Sequence, residues 1–149
     1  MTGDRDHIRD TPRHPRFLQD AKLRRVIERH AVSRATRYLE SLGYTVTDVG
    51  DRCSYDLHIC RGSETLRVEV KGSTVDVDSV ELTVNEVDNA DGVSSILIVV
   101  DGISLSFEDG LHTPDGGRLR AWWSWRPAAE DLSATRYRYR LSGAPTYAE

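Results

Sequence analysis

Residues 55–72 read YDLHICRGSETLRVEVKG. Two short runs rich in apolar and β-branched residues, Tyr55–Cys60 and Leu66–Lys71, are parted by Arg61-Gly62-Ser63. The stretch therefore reads as two strands joined by a tight loop. Alternate residues of a strand share a face. Leu66, Val68 and Val70 point one way, and Arg67, Glu69 and Lys71 the other, with Glu69 and Lys71 about 7 Å apart along the strand. Antiparallel pairing of the two runs brings Asp56 beside Glu69. Two carboxylates and one ammonium then meet at a strand end, with a loop leaving after Gly72.

On the N-terminal side, helical periodicity runs from Asp20, a suitable N-cap, to Leu42, with Gly43 as the stop. Leu23, Val26, Ile27, Ala31, Ala35, Tyr38, Leu39 and Leu42 form one apolar arc at ~100° steps. Residues 1–16 mix charge with Pro12 and Pro15 and read as a flexible arm ahead of one domain, 17–149. Tyr44–Val49 and Val80–Thr83 add strand-like runs. Thr83-Val84-Asn85-Glu86 matches a capping box that opens a short helix closed by Gly92. Ser95–Val100 is a continuous apolar run of the kind buried on both faces. Leu119–Trp125 and Thr135–Leu141 are expected as further strands. The order α-β-β-β-α-β predicts an α/β fold, a central mixed β-sheet flanked by helices, with extra C-terminal strands.

Composition narrows the class. The 149 residues, 38% hydrophobic and 30% charged, describe a globular domain without an apolar run long enough to span a bilayer or a secretory leader. Two cysteines, Cys53 and Cys60, exclude a disulfide scaffold and fit a reducing cytoplasm. The net charge of −4 is unevenly distributed: +4 over residues 1–40, −11 over 41–115 and +3 over 116–149. An acidic middle between basic ends suits a cation site beside surfaces for a polyanion. Of the 20 basic residues only Lys22 and Lys71 are lysine, so a lysine marks a place where a guanidinium serves less well.

The three groups at the strand end suit phosphoryl chemistry. Mg²⁺ prefers carboxylate oxygens, waters and a phosphate oxygen, and Asp56, Glu69 and the carbonyl of Val70 supply one half-shell of that kind. A metal there polarises the phosphoryl oxygen and activates water. Lys71 positions that water and stabilises charge growing on phosphorus.

The pattern Asp-x12-Glu-x-Lys after a long helix resembles the PD-(D/E)XK phosphodiesterase superfamily of restriction and repair nucleases. More closely, Glu28–Val100 looks like the restriction-associated nuclease-like domain also found at the C-terminus of the plant NO VEIN protein. The matching pieces are ERHAVSRATRYLESLGYTVTDVG, SYDLHI, RVEVKGS and LTVNEVDNA, in order and over about half the chain. Tyr55 stands where proline often precedes the aspartate. The resemblance implies a restriction-endonuclease-like core and a Mg²⁺- or Mn²⁺-dependent nuclease, an endonuclease acting on DNA, in prokaryotic defence or repair. A homodimer or a restriction-complex subunit is implied where both strands are cut. The competing reading is a non-catalytic nucleic-acid-binding or assembly module that keeps the fold.

Glu28 sits at about 140° within an apolar arc of about 0–160°, where an unpaired carboxylate is costly. A first-helix acid faces the active site in related nucleases, and pairing with Arg24 is the structural alternative. For Glu86 the capping box suffices, although related domains place a polar residue near the catalytic strands there; Asn85 reaches substrate or serves a turn. Arg136, Arg138 and Arg140 share a strand face and, with Arg118 and Arg120, form either a phosphate-contacting stripe or partners for the acidic middle. Asp56, His58 and Cys60 share a face but cannot all converge on one zinc ion. Neither a phosphate loop nor a nucleophile elbow occurs.

Overall fold

The computed structural model describes residues 14–148. The expected arm lies outside the described residues as far as position 13. Helix α1, His14–Ser41, begins upstream of Asp20, so Asp20 is an exposed residue inside the helix and not its cap. Pro15 does not oppose this start, because the first turn leaves N–H groups without intrahelical partners anyway. At the other end Gly43 has φ +92°. Its N–H donates to Glu40 O, and that of Tyr44 donates back to Leu39 O, closing the helix in a glycine-dependent Schellman turn.

Strands β1 (Thr45–Asp48), β2 (Leu57–Arg61) and β3 (Glu64–Gly72) form an antiparallel meander. Helix α2, Val84–Asn89, carries the chain to β4, Ser95–Asp101, which lies parallel to β3. The hairpin β5 (Ser104–Glu108) and β6 (Leu111–Asp115) forms a separate two-stranded sheet, and β7, Arg118–Trp122, pairs antiparallel with β4. The main sheet runs β1-β2-β3-β4-β7, a mixed α/β core as expected. Among the described residues, no helix is long and apolar enough to cross a membrane.

One sheet face packs on α1: Leu57, Ile59, Val68, Val70, Ile96, Ile98 and Val100 bury against Ala31, Ala35 and Leu39. Each fully buried aliphatic side chain contributes about 1.5–3 kcal/mol. The other face carries Glu69, Lys71 and Asp101, and loop 73–83 is tied to its β4 end. There Ile103 N–H donates to Ser73 O, Gly102 N–H to Val75 O and Val77 N–H to Asp101 Oδ2.

Three expected strands change. Val80–Thr83 is irregular, because Thr83 turns aside to cap α2. The strand expected over Leu119–Trp125 ends at Trp122, where Ser124 takes φ +51° before Trp125 N–H rejoins Ser95 O. Thr135–Leu141 is not a strand: Tyr137, Tyr139 and Leu141 are at least 77% exposed, and without a buried face there is nothing to hold them in a sheet. The β5–β6 hairpin was not expected. It turns at Asp109-Gly110, both at positive φ, as two-residue hairpins require.

Candidate active site

Asp56 immediately precedes β2, and its backbone N–H extends the ladder by donating to Val68 O at 3.0 Å. Its side chain then takes the next donor along β3: Asp56 Oδ2 accepts the Val70 N–H at 2.8 Å. In an extended strand the N–H and C=O of one residue point to the same side. The Val70 carbonyl is therefore directed to the edge where Asp56 lies, while its side chain belongs to the core.

Glu69 and Lys71 project from the opposite face to Val70. Glu69 is buried, and its Oε1 lies 3.4 Å from Lys71 Nζ. Lys71 Nζ also donates to Glu86 Oε2 at 2.9 Å. The same Glu86 oxygen accepts the Thr83 N–H at 3.0 Å, and Glu86 N–H donates to Thr83 Oγ1 at 3.2 Å. The capping box thus exists, yet its glutamate also grips the lysine. Thr83-x-x-Glu86 is the local signal for the cap; the contact with Lys71 arises only because β3 and α2 are adjacent.

These groups are in electrostatic tension. Burial first, then the charge of Asp56, pushes the Glu69 carboxyl up to about 8, against the pull of Lys71. Burial also raises Asp56, opposed by the Val70 N–H and by hydrogen bonding with Glu69. For Lys71 burial acts downward, but the Glu86 hydrogen bond and the charges of Glu69 and Glu86 win, so its affinity for the proton is raised. Lys71 is an ammonium at neutral pH.

An open cavity of about 970 Å³ contains Asp56, Glu69, Val70 and Lys71 in its lining. Asp48, Gly50 and Asp51 form part of one side, and Arg25, Glu28, Arg29 and Val32 of α1 part of another. Gly72 explains why the helix comes so near. A Cβ there would stand 2.9 Å from Ala31 Cβ and 3.2 Å from the Ile27 carbonyl oxygen. Only glycine lets the α1 backbone settle against the strand end that carries Lys71.

The sequence-derived candidates divide accordingly. Asp56, Glu69, Val70 and Lys71 come together with Glu86, and Glu28 shares their cavity as an exposed side chain. Glu28 makes no ion pair with Arg24 among those of the described residues. Asn85 is exposed on α2 and does not line this cavity. Arg118 and Arg120 are engaged elsewhere: both hold the buried Asp101, at 3.0 Å each, and Arg120 also donates to Val77 O at 2.8 Å. Their pairing is with the acidic middle of the chain. Arg136, Arg138 and Arg140 lie on an exposed irregular segment, not on a strand face. Cys60 Sγ sits 3.5 Å from His58 Nε2, while Cys53 is exposed.

The family described as Protein NO VEIN, C-terminal, matches residues 27–103, 77 of the 149. The chain belongs to this family. The matched span of this NO VEIN C-terminal domain runs from α1 through β4 and contains Glu28, Asp56, Glu69, Lys71 and Glu86. Comparison with curated proteins found no match, and neither did comparison with solved structures.

The donor set fits a hard divalent cation. Two adjacent carboxyls are both raised by burial, Glu69 further by the charge of Asp56; a carbonyl faces the same edge, and the cavity leaves room for waters and a phosphate. Among the described residues, no group of three or more His, Cys, Asp or Glu side chains is arranged to hold a metal. A cation here would rest on Asp56, Glu69 and the Val70 carbonyl, the sparse protein shell that suits Mg²⁺ or Mn²⁺ better than zinc.

Proposed function

We propose that this protein is a metal-dependent nuclease of the PD-(D/E)XK type, hydrolysing phosphodiester bonds of nucleic acid, DNA foremost, in cytoplasmic prokaryotic defence or repair. The observation that carries the reading is the meeting of Asp56, Glu69 and the Lys71 ammonium in an open cavity. A carboxyl pushed up to about 8 by burial and by the charge of Asp56 is costly to ionise, and a divalent cation would relieve that cost.

A bound Mg²⁺ or Mn²⁺ supplies Lewis-acid polarisation of the phosphoryl oxygen and a more acidic water. Asp56 and Glu69 would hold it, with Asp56 kept in place by the Val70 N–H. Lys71, whose affinity for the proton is raised by Glu86 and Glu69, orients the attacking water and donates to the oxygen on which charge accumulates. Glu86 holds the lysine in that position from α2. Glu28 lies on the cavity side and orders water there. Water attacks phosphorus, forming one P–O bond as the bond to the leaving oxygen breaks; the proton lost by the attacking water passes to solvent, and solvent returns one to the leaving oxygen. Cutting both strands of a duplex needs a second centre, supplied by another copy or by a partner subunit.

Incubation of supercoiled plasmid with the full chain and Mg²⁺ or Mn²⁺ tests this. Cleavage is expected for the natural sequence, and Lys71→Ala lowers it by about 10³-fold while leaving the fold intact. Binding without cleavage under either metal would instead identify a non-catalytic module that keeps the nuclease fold.

A further inference from the structure

On the α1 side of the cavity, Glu28 alone has a role in the chemistry above. Arg25 and Arg29 of α1 contribute to the lining, both exposed, and neither takes part in the ion pairs found among the described residues. Several arginines elsewhere are engaged by the fold. Arg34 donates to the carbonyls of Gly116 and Gly117, Arg61 to that of Leu42, and Arg67 to Asp91; Arg118 and Arg120 hold Asp101.

Four residues apart, Arg25 and Arg29 lie on the same helix face about 6 Å apart along the axis. The close packing at Gly72 seats their helix against the strand end of Lys71, since Ile27 and Ala31 make that contact. Asp48 and Asp51 line the cavity too. A polyanion is repelled by those aspartates and attracted to Arg25 and Arg29, which outnumber Glu28 on the α1 side, so the difference in charge sets the side on which a strand runs. The guanidinium fork matches phosphate oxygens in pairs, whereas Lys71 meets one oxygen as a point charge.

We propose that Arg25 and Arg29 clamp backbone phosphates flanking the one attacked, so that the ligand is a polynucleotide strand and not a mononucleotide or small phosphodiester. The clamp rests on the nuclease reading only for what happens at the central phosphate; binding at the arginines is separable from it.

The test is fluorescence anisotropy with labelled single-stranded and duplex oligonucleotides over a range of KCl, using the full chain in the Lys71→Ala background with Ca²⁺. Arg25→Gln/Arg29→Gln is expected to bind more weakly. The slope of log K against log salt should become shallower by about 1.8 for duplex or about 1.4 for a single strand. Glutamine keeps helix propensity, and an unchanged melting curve verifies the fold. Arg24→Gln/Arg37→Gln removes equal charge from the same helix but outside this cavity, and should leave the slope alone. An unchanged slope in the first variant, an equal drop in the control, or no binding by the Lys71→Ala background at low salt overturns the clamp. Plasmid cleavage by the natural chain together with an unchanged slope leaves the nuclease reading standing without the clamp. A shallower slope with no cleavage under any metal leaves the clamp without the nuclease.

Discussion

Two clusters of buried charge occupy the same face of the main sheet, and they are opposites. At the β4–β7 end, Asp101 is fully buried, yet each of its oxygens is bonded: Arg118 donates to both, while Arg120 and the Val77 N–H reach Oδ2. The Arg118 hydrogen bonds and then the Val77 N–H hold this carboxyl well below the ordinary aspartate range. At the β3 end, Glu69 and Asp56 are pushed the other way, by burial and, for Glu69, by the adjacent carboxyl. One cluster is satisfied by the fold. In the other, Lys71 pairs with Glu69 and Glu86, yet Glu69 and Asp56 stay displaced upward. Burial of charge is thus no guide to function by itself; the direction in which the carboxyl is displaced separates a latch satisfied by the fold from a cluster under tension, the candidate site.

The largest effect expected is on the latch. Asp101→Ala leaves Arg118 and Arg120 without their carboxylate and removes the Val77 tie between loop 73–83 and β4, so it should lower Tm more than any other substitution named here, by differential scanning calorimetry. The Asp101 contribution is present above the ordinary aspartate value near 3.8 and is lost as pH falls toward its depressed folded value. A variant as stable as the natural chain at neutral pH would make the two clusters alike.

Glu69 gives the opposite sign. Its folded value near 8 exceeds the ordinary 4.5, so the unfolded chain loses its proton first. Metal-free stability therefore falls as pH rises from about 4.5 to about 8, by on the order of a few kcal/mol, and levels off above. Glu69→Gln should remove that slope in EDTA-treated protein. Mg²⁺ should raise the Tm of the natural chain at pH 8 in a dose-dependent way, and raise that of the variant less. A natural chain with a flat profile and no response to metal would remove the contrast.

A smaller pair of substitutions separates the two duties of Glu86. Glutamine preserves a capping box, so Glu86→Gln should keep Tm while lowering kcat by about tenfold to a hundredfold, the worth of one charge-assisted hydrogen bond. Thr83→Ala removes the cap and keeps the carboxylate on Lys71. It should cost about 1 kcal/mol, about 3 °C in Tm, with kcat retained at low temperature. Equal effects of both variants on kcat would reduce Glu86 to a helix cap.

Much of this arrangement was legible locally. The period of two in Leu66–Lys71 separates Val68 and Val70 from Glu69 and Lys71, and the period of 3.6 in α1 selects Ala31, Ala35 and Leu39 for the core. Asp109-Gly110 carried a hairpin signal as well, weak beside the polar strands that flank it. Arg136–Arg140 shows where alternation misleads: residues of period two remain irregular when no neighbouring strand or apolar layer receives them.

By itself, the order of residues determined the helix and its glycine stop, the β2–β3 pairing and the convergence of Asp56, Glu69 and Lys71, because each depends on neighbours in sequence or on one short hairpin. Only the tertiary structure decided that Arg118 and Arg120 belong to Asp101, that Glu86 grips Lys71, and that Arg25 and Arg29 overlook the cavity. Those pairings join segments far apart along the chain. Which charge meets which is settled by the parallel crossover from β3 to β4 and by the close seat of α1 on Gly72, neither of which any local pattern encodes.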